Sequence, residues 1–188
     1  DGADLELWEI DAPVNLWKTE DAQKLLKCYN MVDYVTMPNP GQVWSYIGGW
    51  LYQAHLKEIE DNVPEQLRSY YNSCALRMSI TLSSFGKDLK NEAGAMPIGA
   101  EANADALGGK THVIIRARDM AAYVQKLLGD PDYADGQDTG YCSPQPGDII
   151  VFAGKGHVGM CPGDNISIGS FLTGPIWLIN RATLKDAE

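Results

Sequence analysis

Residues 72–85, Asn-Ser-Cys-Ala-Leu-Arg-Met-Ser-Ile-Thr-Leu-Ser-Ser-Phe, constrain the fold more than any other stretch. Apolar side chains at 75, 76, 78, 80, 82 and 85 include the i, i+3, i+4 spacings of a buried helix face, and Asn72 and Ser73, both N-cap residue types, stand just before it. A helix of this kind predicts a core built around it. It also puts Cys74 in a first turn, beside unpaired backbone N–H groups and the positive end of the helix dipole, which favour a thiolate. A cysteine in an apolar helix is most often a small buried hydrophobe. A chemical role for Cys74 therefore needs a partner from elsewhere in the chain.

The last third supplies one. After the polar segment ending in Pro144-Gln145-Pro146-Gly147-Asp148, the composition turns β-branched and apolar at Ile149-Ile150-Val151-Phe152-Ala153. Gly154-Lys155-Gly156 then makes a turn, and His157-Val158-Gly159-Met160-Cys161 returns as a second strand. A third strand is expected over 166–172 and a fourth over 175–180, completing an antiparallel meander. His157 opens its strand just after glycines that leave room for a substrate backbone. A helix-start thiol facing a strand-borne imidazole is the arrangement of cysteine proteases and amidases, in which an imidazolium lowers the thiol pKa further. Helices first and sheet last make an α+β chain.

Between these poles the chain reads as helical with glycine and proline punctuation. Thr19–Tyr29 is a short helical pattern with Thr19 as N-cap. Two prolines and a glycine in Met37-Pro38-Asn39-Pro40-Gly41 mark a boundary, giving an N-terminal extension over 1–36 and a main domain over 37–188. Residues 42–56 form an apolar helix interrupted at Gly48-Gly49, 57–66 a charged loop, and 86–109 a glycine-containing loop with at most short elements. The strongest helix pattern runs from about 116 to Leu128, with Met120, Val124, Leu127 and Leu128 as its core face and Gly129 as its C-cap. His55 and His112 read as structural histidines.

At 188 residues and 45% hydrophobic content the chain suffices for one packed domain plus an extension. A net charge of -10 leaves no basic footprint for nucleic acid or anionic lipid. No apolar run approaches the roughly 20 residues of a membrane-spanning helix. The four cysteines lack the paired spacing of a structural zinc site, and the three histidines have no ligand-spaced partners, so neither metal nor cofactor is expected. With Cys74 reserved for chemistry, Cys142 and Cys161 flank one stretch of predicted strand and could pair in an oxidising compartment, leaving Cys28 single.

Pro-Gly-Asp-Ile-Ile-Val-Phe at 146–152, followed by Gly156-His157-Val158-Gly159-Met160, resembles the second catalytic motif of NlpC/P60-type cell-wall peptidases. More closely, Tyr71-Asn72-Ser73-Cys74-Ala75-Leu76-Arg77-Met78-Ser79, then the segment from His112 to Ala121, then Gly156-His157, resemble in that order the Tae4 family of type VI secretion amidase effectors. The resemblance implies a papain-like domain of the NlpC/P60 type, with the catalytic helix start packed on a C-terminal antiparallel sheet. It implies a secreted antibacterial amidase that cuts the γ-D-glutamyl-meso-diaminopimelate bond of peptidoglycan stem peptides in the target-cell periplasm, and an immunity protein as partner. Cys74 would be nucleophile and His157 general base. Members of the family carry an Asp two residues after the histidine, where this chain has Gly159. Asp164, Asn165 and Ser167 are then the contenders for the residue that orients His157, and Asp164 is preferred because a carboxylate best stabilises imidazolium.

Two other readings fit the residues. A Cys–His pair also serves deamidases and transferases acting on protein. A non-catalytic module would instead bury Cys74 and use Trp44, Tyr46, Trp50 and Tyr52 to hold a glycan or partner.

Overall fold

The computed structural model describes residues 16, 19–134, 146–154, 156–163 and 174–180. Among them are five α-helices: α1 (Thr19–Asn30), α2 (Pro40–Ile47), α3 (Gly49–Glu60), α4 (Cys74–Phe85) and α5 (Ala117–Leu128). Two short strands, β1 (Ala95–Pro97) and β2 (His112–Ile114), pair antiparallel. Three longer ones, β3 (Ile149–Gly154), β4 (His157–Pro162) and β5 (Ile176–Ile179), form an antiparallel sheet in the order β4-β3-β5. The architecture is α+β, with the helices first and the larger sheet last.

Helix α4 is the axis of the molecule: all ten residues from Cys74 to Ser83 are buried. Cys74, Ala75, Met78 and Leu82 pack into a core shared with Leu25 and Tyr29 of α1, Met120 and Val124 of α5, and Val151, Val158 and Met160 of the sheet. Leu76 and Ile80 enter a second core with Val43, Trp44, Ile47 and Leu51 of α2 and α3. A helix apolar on both sides is thus one that two cores share, which explains why its pattern is broader than a single stripe. The Ser79 hydroxyl donates to the Ile114 carbonyl at 2.7 Å and accepts the Ile114 N–H at 2.8 Å, fixing β2 against α4. Alternation along the sheet sends Ile149, Val151, Ala153, Val158 and Met160 to the α4 side and Ile150, Phe152 and Cys161 to the other.

Several expectations change. The Pro38–Gly41 stretch starts a helix: Pro40 is its first residue, and the Asn39 N–H donates to Gln42 Oε1 at 2.8 Å. Proline at a first helical position loses no intrahelical bond, so punctuation here meant a helix start. The interruption at Gly48-Gly49 is a true break, both residues having φ of 63°. Helix α3 runs on to Glu60, into the segment expected as loop. The four-strand meander does not hold, because β5 pairs with β3 rather than lying beyond a third strand. The expected 166–172 strand lies outside the described residues.

Candidate active site

The first turn of α4 docks on the outer edge of β4. The Cys74 thiol is 4% exposed and donates a weak hydrogen bond to the Gly156 carbonyl at 3.7 Å. The backbone N–H groups of Val158, Ala75 and Cys74 itself also face the sulfur. In an antiparallel pair in which His157 sits opposite Gly154, the Gly156 carbonyl and the Val158 N–H both point away from β3. Cys74 therefore fills the ladder position that an edge strand leaves open. Ser73, the N-cap residue of α4, spends its hydroxyl on the Arg77 Nε–H at 2.8 Å and makes no cap bond. The first-turn N–H groups of α4 remain available to an anion at the sulfur.

Burial pushes the thiol above its ordinary 9.0, and the N–H groups of Val158, Ala75 and Cys74, with the Arg77 guanidinium, only partly pull it back. Burial also holds the His157 imidazole below its ordinary 6.5, and the Arg77 charge adds to that. In the resting site, burial therefore works against both the thiolate and the imidazolium of the expected ion pair. The reason is physical: partial burial disfavours both charged forms, and the cation of this site is an arginine.

That arginine was not singled out from the sequence. Arg77 has no exposed surface, lies one turn beyond Cys74, and has its guanidinium 3.8 Å from the centroid of the Tyr34 ring. Its Nη1 donates to the carbonyls of Val32 at 2.8 Å and Met37 at 2.6 Å, while its Nη2 is buried without a partner. A charged side chain in the middle of an otherwise apolar run was the signal that could have found it.

Cys74 and His157 are neighbours on different walls. No hydrogen bond joins them, and the His157 ring stands 5.2 Å from the Phe152 ring and 6.0 Å from the Tyr34 ring. It lines a cavity of about 590 Å³ with Tyr29, Asp33, Tyr34, Phe152 and Met160. Cys74 lines another, of about 450 Å³, with Asn72, Arg68, Arg116, Arg118 and Gly156. Asp33, which belongs to the His157 cavity, uses its Oδ1 to accept the N–H groups of Val35 at 3.1 Å and Thr36 at 2.9 Å. Asp164, Asn165 and Ser167 lie outside the described residues, as does Cys142.

The remaining residues resolve simply. Cys161 is a free thiol, and burial pushes its pKa up to about 12. His55 is 4% exposed, with Nδ1 2.6 Å from the Tyr70 carbonyl, and stacks on Trp44. His112 Nδ1 lies 2.7 Å from Thr111 Oγ1 in β2. Trp44 is wholly buried and donates Nε1–H to the Tyr71 carbonyl at 2.9 Å, whereas Trp50 is 41% exposed. The four aromatics therefore do not make one binding face. Among the described residues no group of His, Cys, Asp or Glu is placed to hold a metal ion. No helix among them is long and apolar enough to cross a membrane.

A cysteine-bearing helix whose first turn is seated on an antiparallel sheet is the α+β arrangement expected from the sequence. Residues 70–170 match the family model described as Tae4, type VI secretion system (T6SS), amidase effector protein 4. The chain belongs to this family, and the class is that of an amidase, a hydrolase. Among solved structures it is similar to the type VI effector Tae4 from Enterobacter cloacae, with a TM-score of 0.55, 19% identity, and coverage of 84% of this chain and 94% of that one. The Tae4–Tai4 effector–immunity complex from the same organism matches with a TM-score of 0.51 at 20% identity, covering 84% and 96%. The Tae4/Tai4 effector–immunity system from Salmonella typhimurium gives 0.52 at 21% identity, again covering 84% and 96%. No curated protein sequence matches the chain.

Proposed function

We propose that the protein is a peptidoglycan amidase that hydrolyses the γ-D-glutamyl-meso-diaminopimelate bond with Cys74 as nucleophile and His157 as general base. The observation that carries this reading is the seating of the Cys74 sulfur against the Gly156–Val158 backbone, in a chain of an amidase effector family. A neutral imidazole is the form that can accept a proton. The His157 ring turns from Phe152 toward the thiol, takes its proton, and the sulfur adds to the γ-carbonyl carbon. The backbone N–H of Cys74 then receives the oxyanion. His157 returns the proton to the departing diaminopimelate nitrogen, and water, deprotonated by the same imidazole, opens the thioester.

Asp164 is the residue assigned to orient His157. The 1–36 extension is read as part of the working unit, since Tyr29, Asp33 and Tyr34 flank the His157 cavity. The enzyme would act in the cell wall of a target bacterium after secretion. The solved Tae4–Tai4 complexes support an immunity protein as its partner.

Digestion of purified peptidoglycan sacculi by the protein and by Cys74→Ala, with mass spectrometry of released muropeptides, tests the reading. The expected product carries a new free amine on diaminopimelate and is absent with the variant. Cleavage at another bond, or equal release by the variant, rejects it.

A further inference from the structure

The chain has five arginines, Arg68, Arg77, Arg116, Arg118 and Arg181, against 25 acidic residues. Arg77 lies one turn behind Cys74, and Arg68, Arg116 and Arg118 line the cavity of about 450 Å³ into which Cys74 opens. No acidic residue lines that cavity. None of the three lining arginines makes a salt bridge among the described residues, where the ion pairs are Lys57–Asp61 and Lys126–Glu92. Arg68 is held in place: its Nε donates to the Val63 carbonyl at 2.8 Å, and its guanidinium lies 5.4 Å from the Tyr71 ring centroid. Arg116 and Ala117 form the N-terminal end of α5, so a second helix start adds its positive end to the same cavity. A chain carrying net charge of -10 has gathered four of its five guanidinium groups near one thiol, with Glu65 at Tyr71 and Asp119 in the first turn of α5 as the acidic neighbours.

We propose that this cavity is a carboxylate-recognition subsite, in which Arg68, Arg116 and Arg118 select substrates that carry a free carboxylate beside the scissile amide. The inference rests on the amidase reading above and deepens it. A glutamyl residue linked through its γ-carboxyl keeps its α-carboxylate free on the same residue, within reach of groups that surround the nucleophile. Guanidinium is the side chain suited to such a group, because its fork matches a carboxylate with two parallel hydrogen bonds. Amidation of that carboxyl removes both the charge and one acceptor oxygen. The subsite therefore distinguishes D-glutamate from D-isoglutamine at the same position.

Two measurements test it separately. In the first, Cys74 is alkylated with iodoacetate, an anion, and with iodoacetamide, its neutral analogue, and modification is read from the Cys74 peptide by mass spectrometry. Coulomb attraction at about 7 Å in water favours the anion by roughly 2- to 3-fold per arginine at low salt. The iodoacetate-to-iodoacetamide rate ratio is expected to fall about 5-fold in Arg116→Gln/Arg118→Gln and to be retained in Arg116→Lys/Arg118→Lys. A fall of less than about twofold overturns the subsite. In the second, the wild type is given L-Ala-γ-D-Glu-meso-diaminopimelate and its D-isoglutamine counterpart. Faster cleavage of the acid, with the preference diminished in the double glutamine variant, supports the selectivity, and equal cleavage overturns it. If the wild type cleaves neither peptide, the amidase reading fails, and the alkylation ratio alone decides whether the cavity attracts a carboxylate.

Discussion

Replacing Arg77 by Met removes a charge that two halves of the molecule are built around. Three acceptors lose their donors at once: Ser73 Oγ at 2.8 Å, the Val32 carbonyl at 2.8 Å and the Met37 carbonyl at 2.6 Å. Hydrogen bonds from a charged donor contribute about 1.5–3 kcal/mol each, so the gross loss is about 4–9 kcal/mol. Relief from burying a guanidinium, and from leaving its Nη2 unpartnered, offsets part of this. A net loss of about 3–5 kcal/mol is expected once that relief is set against the gross loss. For a domain of this size that corresponds to a Tm lowered by roughly 6–20 °C. Urea denaturation of wild type, Arg77→Met and Arg77→Lys measures it. The same variants report on the site, because Arg77 depresses the His157 pKa. The acid limb of kcat/KM should move upward in Arg77→Met and stay near wild type in Arg77→Lys, which keeps the charge. A stability loss under about 1 kcal/mol, or an acid limb that shifts equally in both variants, refutes the reasoning.

The depressed His157 pKa makes the unfolded chain bind a proton before the folded one does, so stability is full above the ordinary 6.5 and falls as pH drops below it. Replacing His157 by Gln should flatten that part of a denaturation-versus-pH curve. The raised Cys74 pKa has the opposite edge: above the ordinary 9.0 the unfolded chain loses its proton first, and stability falls as pH rises, a slope that Cys74→Ala should reduce. A Cβ at Gly159 would lie 2.8 Å from Phe152 Cζ and 2.9 Å from Tyr29 Oη, so Gly159→Ala should cost about 1–3 kcal/mol in chemical denaturation. Trp44→Ala should cost about 3–5 kcal/mol through its cavity and lost hydrogen bond, without altering the Cys74 alkylation rate.

Much of the fold was legible because it rests on local patterning. The apolar spacing of 75–85, the Gly48-Gly49 break, the Gly129 cap and the 149–162 hairpin each arise from turn chemistry and periodicity alone. Placement of β5 was not legible, since its pairing with β3 depends on how the chain returns after β4 rather than on the strand's own composition. The proline-rich stretch before α2 was legible as punctuation, and the helix after it begins at Pro40, two residues ahead of the expected 42. At the site, the positions of Cys74 and His157 were set by helix start and strand start. Their protonation was not, because it depends on burial and on Arg77, whose contacts with the 32–37 turn span some forty residues of sequence. For the same reason the cavity arginines from 68 and from 116–118 read as unrelated until α4 and α5 brought them together. At Gly159 the structure leaves no room for a side chain, since Phe152 and Tyr29 occupy the space one would need.

The central claim is that one sulfur at the start of α4 does the chemistry. Titration with iodoacetamide, following amidase activity on purified muropeptides and Cys74 occupancy in the same aliquots, tests it directly. The account predicts that activity falls linearly with Cys74 modification and reaches zero at one alkylated Cys74 per molecule, whatever happens at Cys28 or Cys161. Activity that persists in molecules whose Cys74 is fully alkylated would contradict it.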